Sequence, residues 1–341
     1  MQQTPKNKRN LCKMGFALAI LAESKYHYCW LFVPIRQQEY EYREPQGISP
    51  RLRHGENVMK QLIVNQTMDQ ERALYHITDA LVKDCTFAGE ADGESALKEC
   101  RGVDVEGCRF LLRYPLWHTS HFSMDHCLST ETARAALWYA EDGIIRDCEL
   151  GGVKALRECC RIRLENCRIR STEFGWNCTD VTVHGGELES EYVFMGSRNL
   201  NIDHLHFKGK YSFQYVENMV IEDSTLDTKD AFWHCRNVVV RNSVVKGEYL
   251  AWYSENLTLE NCRIIGTQPF CYCKNLKLIN CTMEDADLAF ECSEVEADLH
   301  GRILSVKNPM AGTIVADQVD EIIIENPVRP TECRVMIREA E

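Results

Sequence analysis

Aromatic side chains in this chain recur at one spacing. Trp117, Trp138, Trp176, Trp233 and Trp252 are five of the six tryptophans, and all occupy one point of a repeating unit, shared elsewhere by Tyr75 and Phe290. The next point in the unit carries His76, Glu99, His118, Tyr139, Glu158, Tyr215, His234, Tyr253, Tyr272 and Glu291. Indole and phenol rings offer a flat apolar face with a polar edge, which suits the faces of sugar rings. Facing outward, these aromatics would make a groove in which Trp138, Trp233, Trp252, Tyr253 and Tyr272 bind substrate. Packed beneath loops, they would instead be ladders that hold the fold.

Carboxylates raise the question of hydrolysis. Cleaving a glycosidic bond takes two carboxyl groups about 5–9.5 Å apart. Glu99 and Glu158 lie three units apart, roughly 14 Å at strand spacing, which is too far. Glu222, Asp223, Asp227 and Asp230 form a denser run, with Asp230 close to Trp233 and His234 in sequence; Glu141, Asp142 and Asp147 form another. Asp230, His234 and Glu291 are the candidate catalytic residues, set against the plainer reading of solvated loop charge. The sequence holds no nucleophile elbow, P-loop, dinucleotide-binding glycine pattern or HExxH zinc motif.

Of the eighteen cysteines, thirteen fall in two columns of the repeat. Cys85, Cys108, Cys127, Cys148, Cys167, Cys262 and Cys281 make one, and Cys100, Cys159, Cys178, Cys235, Cys273 and Cys292 the other. Ser, Ala, Ile or Val replace them in other units, so the columns require small, weakly polar side chains. Cysteine pairs converging on one point, as a zinc site needs, are missing. No metal and no cofactor are expected. Unpaired thiol ladders suit a reducing compartment, hence a cytoplasmic location.

The elements that position these residues follow from the repeat itself. NLTLENCRI (256–264), NLKLINCTM (275–283) and NVVVRNSVV (237–245) are successive variants of one unit. Its first residues, Asp142, Arg161, Asp180, Asn199, Asn218, Asn237, Asn256, Asn275 and Glu294, are 19 residues apart, and Asp79, Gly102 and His121 precede them at less regular steps. A further unit is expected at Glu321–Glu325. After this anchor, apolar residues alternate with polar ones, as in Leu257/Leu259 and Leu276/Leu278. That period of two marks short strands with one buried face. Asn, Asp or Gly follows at a corner (Asn166, Gly185, Asp223, Asn242, Asn261, Asn280), and then comes a second apolar position. Leu97, Leu137, Leu156, Phe194, Phe213, Phe232 and Phe270 precede the tryptophan point and are expected to face the core, which would turn the tryptophans outward. Arg198, Glu217, Arg236, Glu255 and Lys274 alternate in sign from unit to unit and predict an exposed ion-pair ladder. Each unit can bury its apolar face only against its neighbours. The expected fold is therefore an all-β, single-stranded, right-handed parallel β-helix of about thirteen coils, right-handed because parallel crossovers are.

Residues 1–58 break this pattern. Lys6, Lys8, Arg9 and Lys13 precede a short apolar run, Phe16 to Ala22, which imitates a secretory signal but is too short to span a bilayer. The preferred reading is a start assigned too early, with translation beginning at Met59, since Gly55-Glu56 can be encoded by a ribosome-binding sequence. The alternatives are a true signal in residues 1–22, which would make the protein secreted, or a genuine extension. The β-helix domain then covers 59–341, with a C-terminal cap from about 303.

The opening QTMDQERALYHITDALVKDCTF and the closing SVKNPMAGTIVADQVDEIIIEN, together with the repeat, resemble an uncharacterised bacterial family, domain of unknown function 3737, among the pectin-lyase-like β-helices. The resemblance covers about 59–341. It implies a single-stranded right-handed β-helix and no established activity. Pectate lyases of this fold use clustered calcium-binding aspartates and a basic residue, and no position here matches that motif.

With 45% hydrophobic residues, 26% charged residues and a net charge of −12, the chain reads as an ordinary folded protein whose acidic balance argues against nucleic acid as a partner. No membrane partner is expected. The expected function is binding or modification of an oligosaccharide along the aromatic groove, by a lyase- or hydrolase-like activity if it is an enzyme. The alternative is a non-catalytic scaffold whose exposed stripe meets another protein.

Overall fold

The computed structural model describes residues 60–90 and 94–339. The leader-like segment and the start proposed at Met59 lie outside the described residues. Within them the chain is a parallel β-solenoid of about 14 turns. All strand pairings between turns are parallel, and the central ones repeat at one step: Leu200 pairs with Met219, Met219 with Val238, and Val238 with Leu257.

Each central turn has two strands. The longer runs just after the anchor, as in Arg198–Asp203, Glu217–Glu222, Arg236–Arg241 and Glu255–Glu260. The shorter follows the Asn-type corner, as in Thr225–Asp227, Val244–Lys246 and Arg263–Ile265. Alternation sends Val238 and Val240 into the core and leaves the residues around them at the surface. Phe194, Phe213 and Phe232 stack behind them, with ring centroids 6.3 and 5.5 Å apart. A side chain of this size contributes about 1.5–3 kcal/mol on burial, and a column of them forms the spine of the tube.

Side-chain ladders close the corners. Asn199 donates to Asp180 (2.8 Å), Asn218 to Asn199 (3.1 Å), Asn237 to Asn218 (3.0 Å), Asn256 to Asn237 (2.9 Å) and Asn275 to Asn256 (2.8 Å). All of these anchors are left-handed, for example Asn237 at φ 53° and Asn256 at 55°. Asn tolerates that backbone better than most residues, which explains its recurrence.

The thiol columns serve the backbone. Cys262 and Cys281 donate to the carbonyls of Val240 and Leu259 in the preceding turns (both 3.4 Å). Where serine replaces cysteine, Ser243 accepts from the N–H of Ser224 (3.0 Å). Every cysteine among the described residues is free. Burial pushes Cys100 up to about 11 and Cys271 up to about 12, so these thiols stay protonated and inert.

The ends depart from the expected register. A turn precedes Asp79, since Gln61–Val64 pairs with Ala80–Lys83. At the other end the expected unit at Glu321–Glu325 is not a turn of the main stack. Gln318–Ile323 pairs instead with Arg302–Lys307 in a separate two-stranded sheet, and the main stack continues through Ala311–Ala316 and Arg334–Ile337. Ile322 and Ile324 are about half exposed, because an apolar run on a terminal sheet has no further turn to cover it. One extra residue also shifts the turn before Glu294. Phe290 stacks on Phe270 at 5.9 Å in the core column, so Glu291 takes the place expected for Phe290.

Candidate functional site

The third side of each turn holds the aromatics, and it is not a strand. Asp230, Phe232 and His234 are left-handed, at φ 51°, 61° and 54°, with the residues between them outside that region. Their amides bond alternately forward and back: Asp230 N–H to Glu248 O (3.0 Å), Phe232 N–H to Ser212 O (2.9 Å) and His234 N–H to Trp252 O (2.9 Å). Bulky L-residues adopt this conformation at a cost of about 1–2 kcal/mol each, so it persists only because the neighbouring turns impose it.

This backbone corrects the expected direction of the tryptophans. Phe232 points inward as expected, but Trp138, Trp233 and Trp252 are half-buried. Each indole N–H donates to a main-chain carbonyl of the next turn: Trp138 to Lys154 (3.0 Å), Trp233 to Tyr249 (2.7 Å) and Trp252 to Gln268 (2.9 Å). Gln214 does the same with its amide, donating to Asp230 O (2.9 Å). The column therefore selects a side chain that reaches a carbonyl one turn away. Its faces are occupied too: Trp233 stacks on Trp252 at 5.5 Å, and Arg157 lies 5.2 Å from the ring centres of both Trp138 and Trp176. These indoles brace successive turns, and no free face remains between the stacked pairs for a sugar.

The outward column is the one after it. Tyr215, His234, Tyr253 and Tyr272 stack face to face at 5.0, 5.0 and 4.7 Å. Tyr215 and Tyr253 are 45% and 47% exposed. Stacking covers the inner ring faces, so this column presents edges: a row of phenol and imidazole hydrogen-bonding groups. Partial desolvation between the two tyrosines holds His234 below the ordinary imidazole range. Beside it runs the expected ion-pair ladder, with Arg198–Glu217 and Arg236–Glu255 both at 3.9 Å.

The catalytic candidates are not brought together as a carboxylate pair. Asp230 is 7% exposed, and burial raises its pKa. Glu291, shifted by the inserted residue, is tied to Lys307 at 3.1 Å.

A wider concavity lies elsewhere. An open cleft of about 820 Å³ crosses the turns between Glu131 and Lys229, just past the short strands. Its floor is a column of small residues, Gly152, Ser171, Ser190 and Gly209. A Cβ on Gly209 would lie 1.8 Å from the carbonyl oxygen of Ser190, so the close approach of the turns permits only glycine there. Its walls carry Arg170, Glu189, Glu191, Lys208, Lys210 and Asp227. Glu191 meets Lys210 at 2.9 Å, Arg170 meets Glu189 at 3.8 Å, and Asp227 meets Lys246 at 3.8 Å. Lys208 sits in register with Glu189 and Asp227 and has no ion pair among the described residues. Tyr192 and Tyr211, which follow Glu191 and Lys210 in the chain, stack at 4.7 Å. Reading the aromatics alone missed this cleft; its signal was the column of Gly and Ser two residues beyond the second apolar position.

Fold and surface together define the class: a parallel β-solenoid with structural thiol, Asn and aromatic ladders and an open cleft across its turns. A family model described as "Protein of unknown function (DUF3737)" matches residues 61–337, and the chain belongs to that family. No curated protein matches it. Among solved structures, the chain is similar to PfbA, a surface adhesin of Streptococcus pneumoniae (11% identity, 67% of this chain and 71% of that chain, TM-score 0.37). It is also similar to the A-module of the Azotobacter vinelandii mannuronan C-5 epimerase AlgE6 (10% identity, 83% and 92%, TM-score 0.24). A third is the periplasmic alginate epimerase AlgG (10% identity, 82% and 73%, TM-score 0.22). Among the described residues no helix is long and apolar enough to cross a membrane.

Proposed function

We propose that this solenoid binds an extended, hydroxyl-rich chain, an oligosaccharide, in the cleft between Glu131 and Lys229, and that it binds without cleaving. The carrying observation is the cleft itself: an open concavity that crosses successive turns, with charged hydrogen-bonding groups on the turns from Arg170 to Lys229 and a floor that glycine and serine keep low. Turns repeat at about 4.8 Å, close to the length of one sugar residue, so successive rings would meet equivalent side chains. Lys208, free of an ion pair, is a ready donor. Binding is favoured over hydrolysis because Glu189, Glu191 and Asp227 are each held by a cation, which leaves Glu131 at one end of the cleft without a second free carboxylate, and Asp230, the one buried carboxyl among the described residues, does not line the cleft.

Glycan-array binding followed by titration calorimetry tests this reading. Wild type should bind at least one oligosaccharide class and release no shorter products. Lys208→Ala and Glu189→Trp should weaken binding at least about tenfold, whereas Tyr253→Ala should leave it intact. Binding that survives both cleft changes, or no binding to any glycan, would overturn it. A second reading, a protein-docking scaffold, draws on the half-exposed ring column. It is favoured if Tyr215→Ser/Tyr253→Ser abolishes an association that the cleft variants leave unchanged.

A further inference from the structure

The corner after the longer strand carries a cluster that the cleft does not use. Along most of this ridge, acids and bases of neighbouring turns neutralise each other. Lys83 meets Glu106 at 2.9 Å, Arg146 meets Glu165 at 2.7 Å, and Arg241 bridges Glu222 (2.9 Å) and Glu260 (3.1 Å). Between these stretches the cation is replaced by two imidazoles. His184 and Asp203 are register partners on adjacent turns, and His204 is the corner residue beside Asp203. His184 Nδ1 lies 2.7 Å from Asp203 Oδ1, and His204 Nδ1 lies 3.8 Å from Asp203 Oδ2. One donor atom from each residue lies within 4.8 Å of the others.

We propose that His184, Asp203 and His204 bind a first-row divalent transition metal of the zinc class. Two imidazoles and one carboxylate are a donor set that such ions favour over calcium or magnesium, which prefer all-oxygen sites. Donors at about 2.1 Å from a tetrahedral ion lie roughly 3.4 Å apart, so small side-chain rotations close the present spacing. The backbone that carries them is fixed. His184 is paired in the strand stack, and His204 is held left-handed at φ 52° with its N–H on Glu222 O at 3.2 Å. Both imidazoles are exposed, so an ion has access and one coordination position stays open to water or to a ligand. Asp223 occupies the same corner one turn further on. Without metal, the hydrogen bond to Asp203 accounts for His184 alone, because the 3.8 Å contact from His204 is too long to be one. The ion accounts for the convergence of all three donors. It would also join two turns at a corner where no Arg or Lys does so.

A second cluster, Asp125, His126 and Asp147, lies on the same ridge but offers a single imidazole, so it is the weaker competitor and a built-in control. The test is calorimetric titration of the full chain, kept reduced, with zinc chloride alone. One equivalent should bind to wild type. His184→Ala, His204→Ala and Asp203→Asn should each lose at least about tenfold in affinity, since even outer contacts to a metal ligand are worth that much. His126→Ala should lose none. Equal binding by wild type and a His184→Ala/His204→Ala double variant, or loss confined to His126→Ala, would overturn the proposal. X-ray absorption of the zinc-loaded wild type reads the ligands without any substitution. Two imidazoles support the assignment, and a sulfur shell at about 2.3 Å would place the ion on cysteine and refute it. The metal site and the oligosaccharide cleft stand or fall separately.

Discussion

Two corners of the same turn are both left-handed and both stacked, yet they are built from opposite chemistry. At the anchor corner, Asn218, Asn237, Asn256 and Asn275 link through side-chain amides. At the aromatic corner, Tyr215, His234, Tyr253 and Tyr272 link through ring faces. Asn suits its backbone, so the ladder's hydrogen bonds add to an already tolerated conformation. Tyrosine does not suit its backbone, and each ring contact, worth about 0.5–1.5 kcal/mol, does little more than offset a steric cost of similar size. The anchor corner should therefore be a net source of stability and the aromatic corner nearly neutral. A nearly neutral column of rings left at the surface is easier to understand as a surface feature than as a requirement of folding.

The core beneath both corners sets the scale. Phe213→Ala, which opens the buried ring stack, should cost about 3–5 kcal/mol in denaturant unfolding. At the anchor corner, Asn237→Ala removes a bond in each direction and leaves alanine left-handed; about 2 kcal/mol is expected, with Asn237→Gly near half of that. Trp252→Phe keeps the apolar bulk but leaves the Gln268 carbonyl with only the long 3.7 Å contact from the Cys271 thiol, and a melt should show a loss of about 1 kcal/mol. At the aromatic corner, Tyr253→Gly exchanges ring contacts for relief of the backbone, and the change should be close to zero. A loss there as large as that of Asn237→Ala would break the comparison.

The smallest effect concerns Asp230. A carboxyl raised by burial supports folding when protonated and loses that support as pH rises through its folded-state value. Asp230→Asn should therefore raise the melting temperature modestly near neutral pH. The gain should fade as both proteins are taken to the acid side of the carboxylate range. A gain that grows on acidification would mean that Asp230 is stabilised as a charge.

Much of this architecture is legible in the sequence. The regular step of the anchors, the inward valines and leucines, the phenylalanine column, the thiol columns apart from Cys292, whose expected place Ser293 takes, and the alternating Arg/Glu ladder all follow from residue periodicity, because an in-register stack turns sequence period into spatial neighbourhood. The tryptophan direction was not legible. Alternation between faces presumes an extended chain, and nothing in the letters Phe232, Trp233 and His234 announces left-handed residues in the way a glycine would. The displacement of Glu291 was hidden by a single inserted residue, and the apolar Glu321–Glu325 run imitated a main-stack strand while belonging to the terminal two-stranded sheet. The cleft was missed because its mark is small side chains, which draw less notice than tryptophan.

Between Asn199 and Asn275 the backbone returns to the same state at a constant interval, since partners such as Met219 and Val238 are 19 residues apart. Cutting out residues 199–217 would join Arg198 directly to Asn218, and the new junction would have the local geometry of the old one. The same holds for duplicating such a segment. The tube's length is thus adjustable in whole increments of about 4.8 Å while its cross-section stays fixed. An ancestor could gain or lose reach by simple tandem exchange, and exchange of two turns at a time would also keep the alternation of Arg198, Glu217, Arg236 and Glu255.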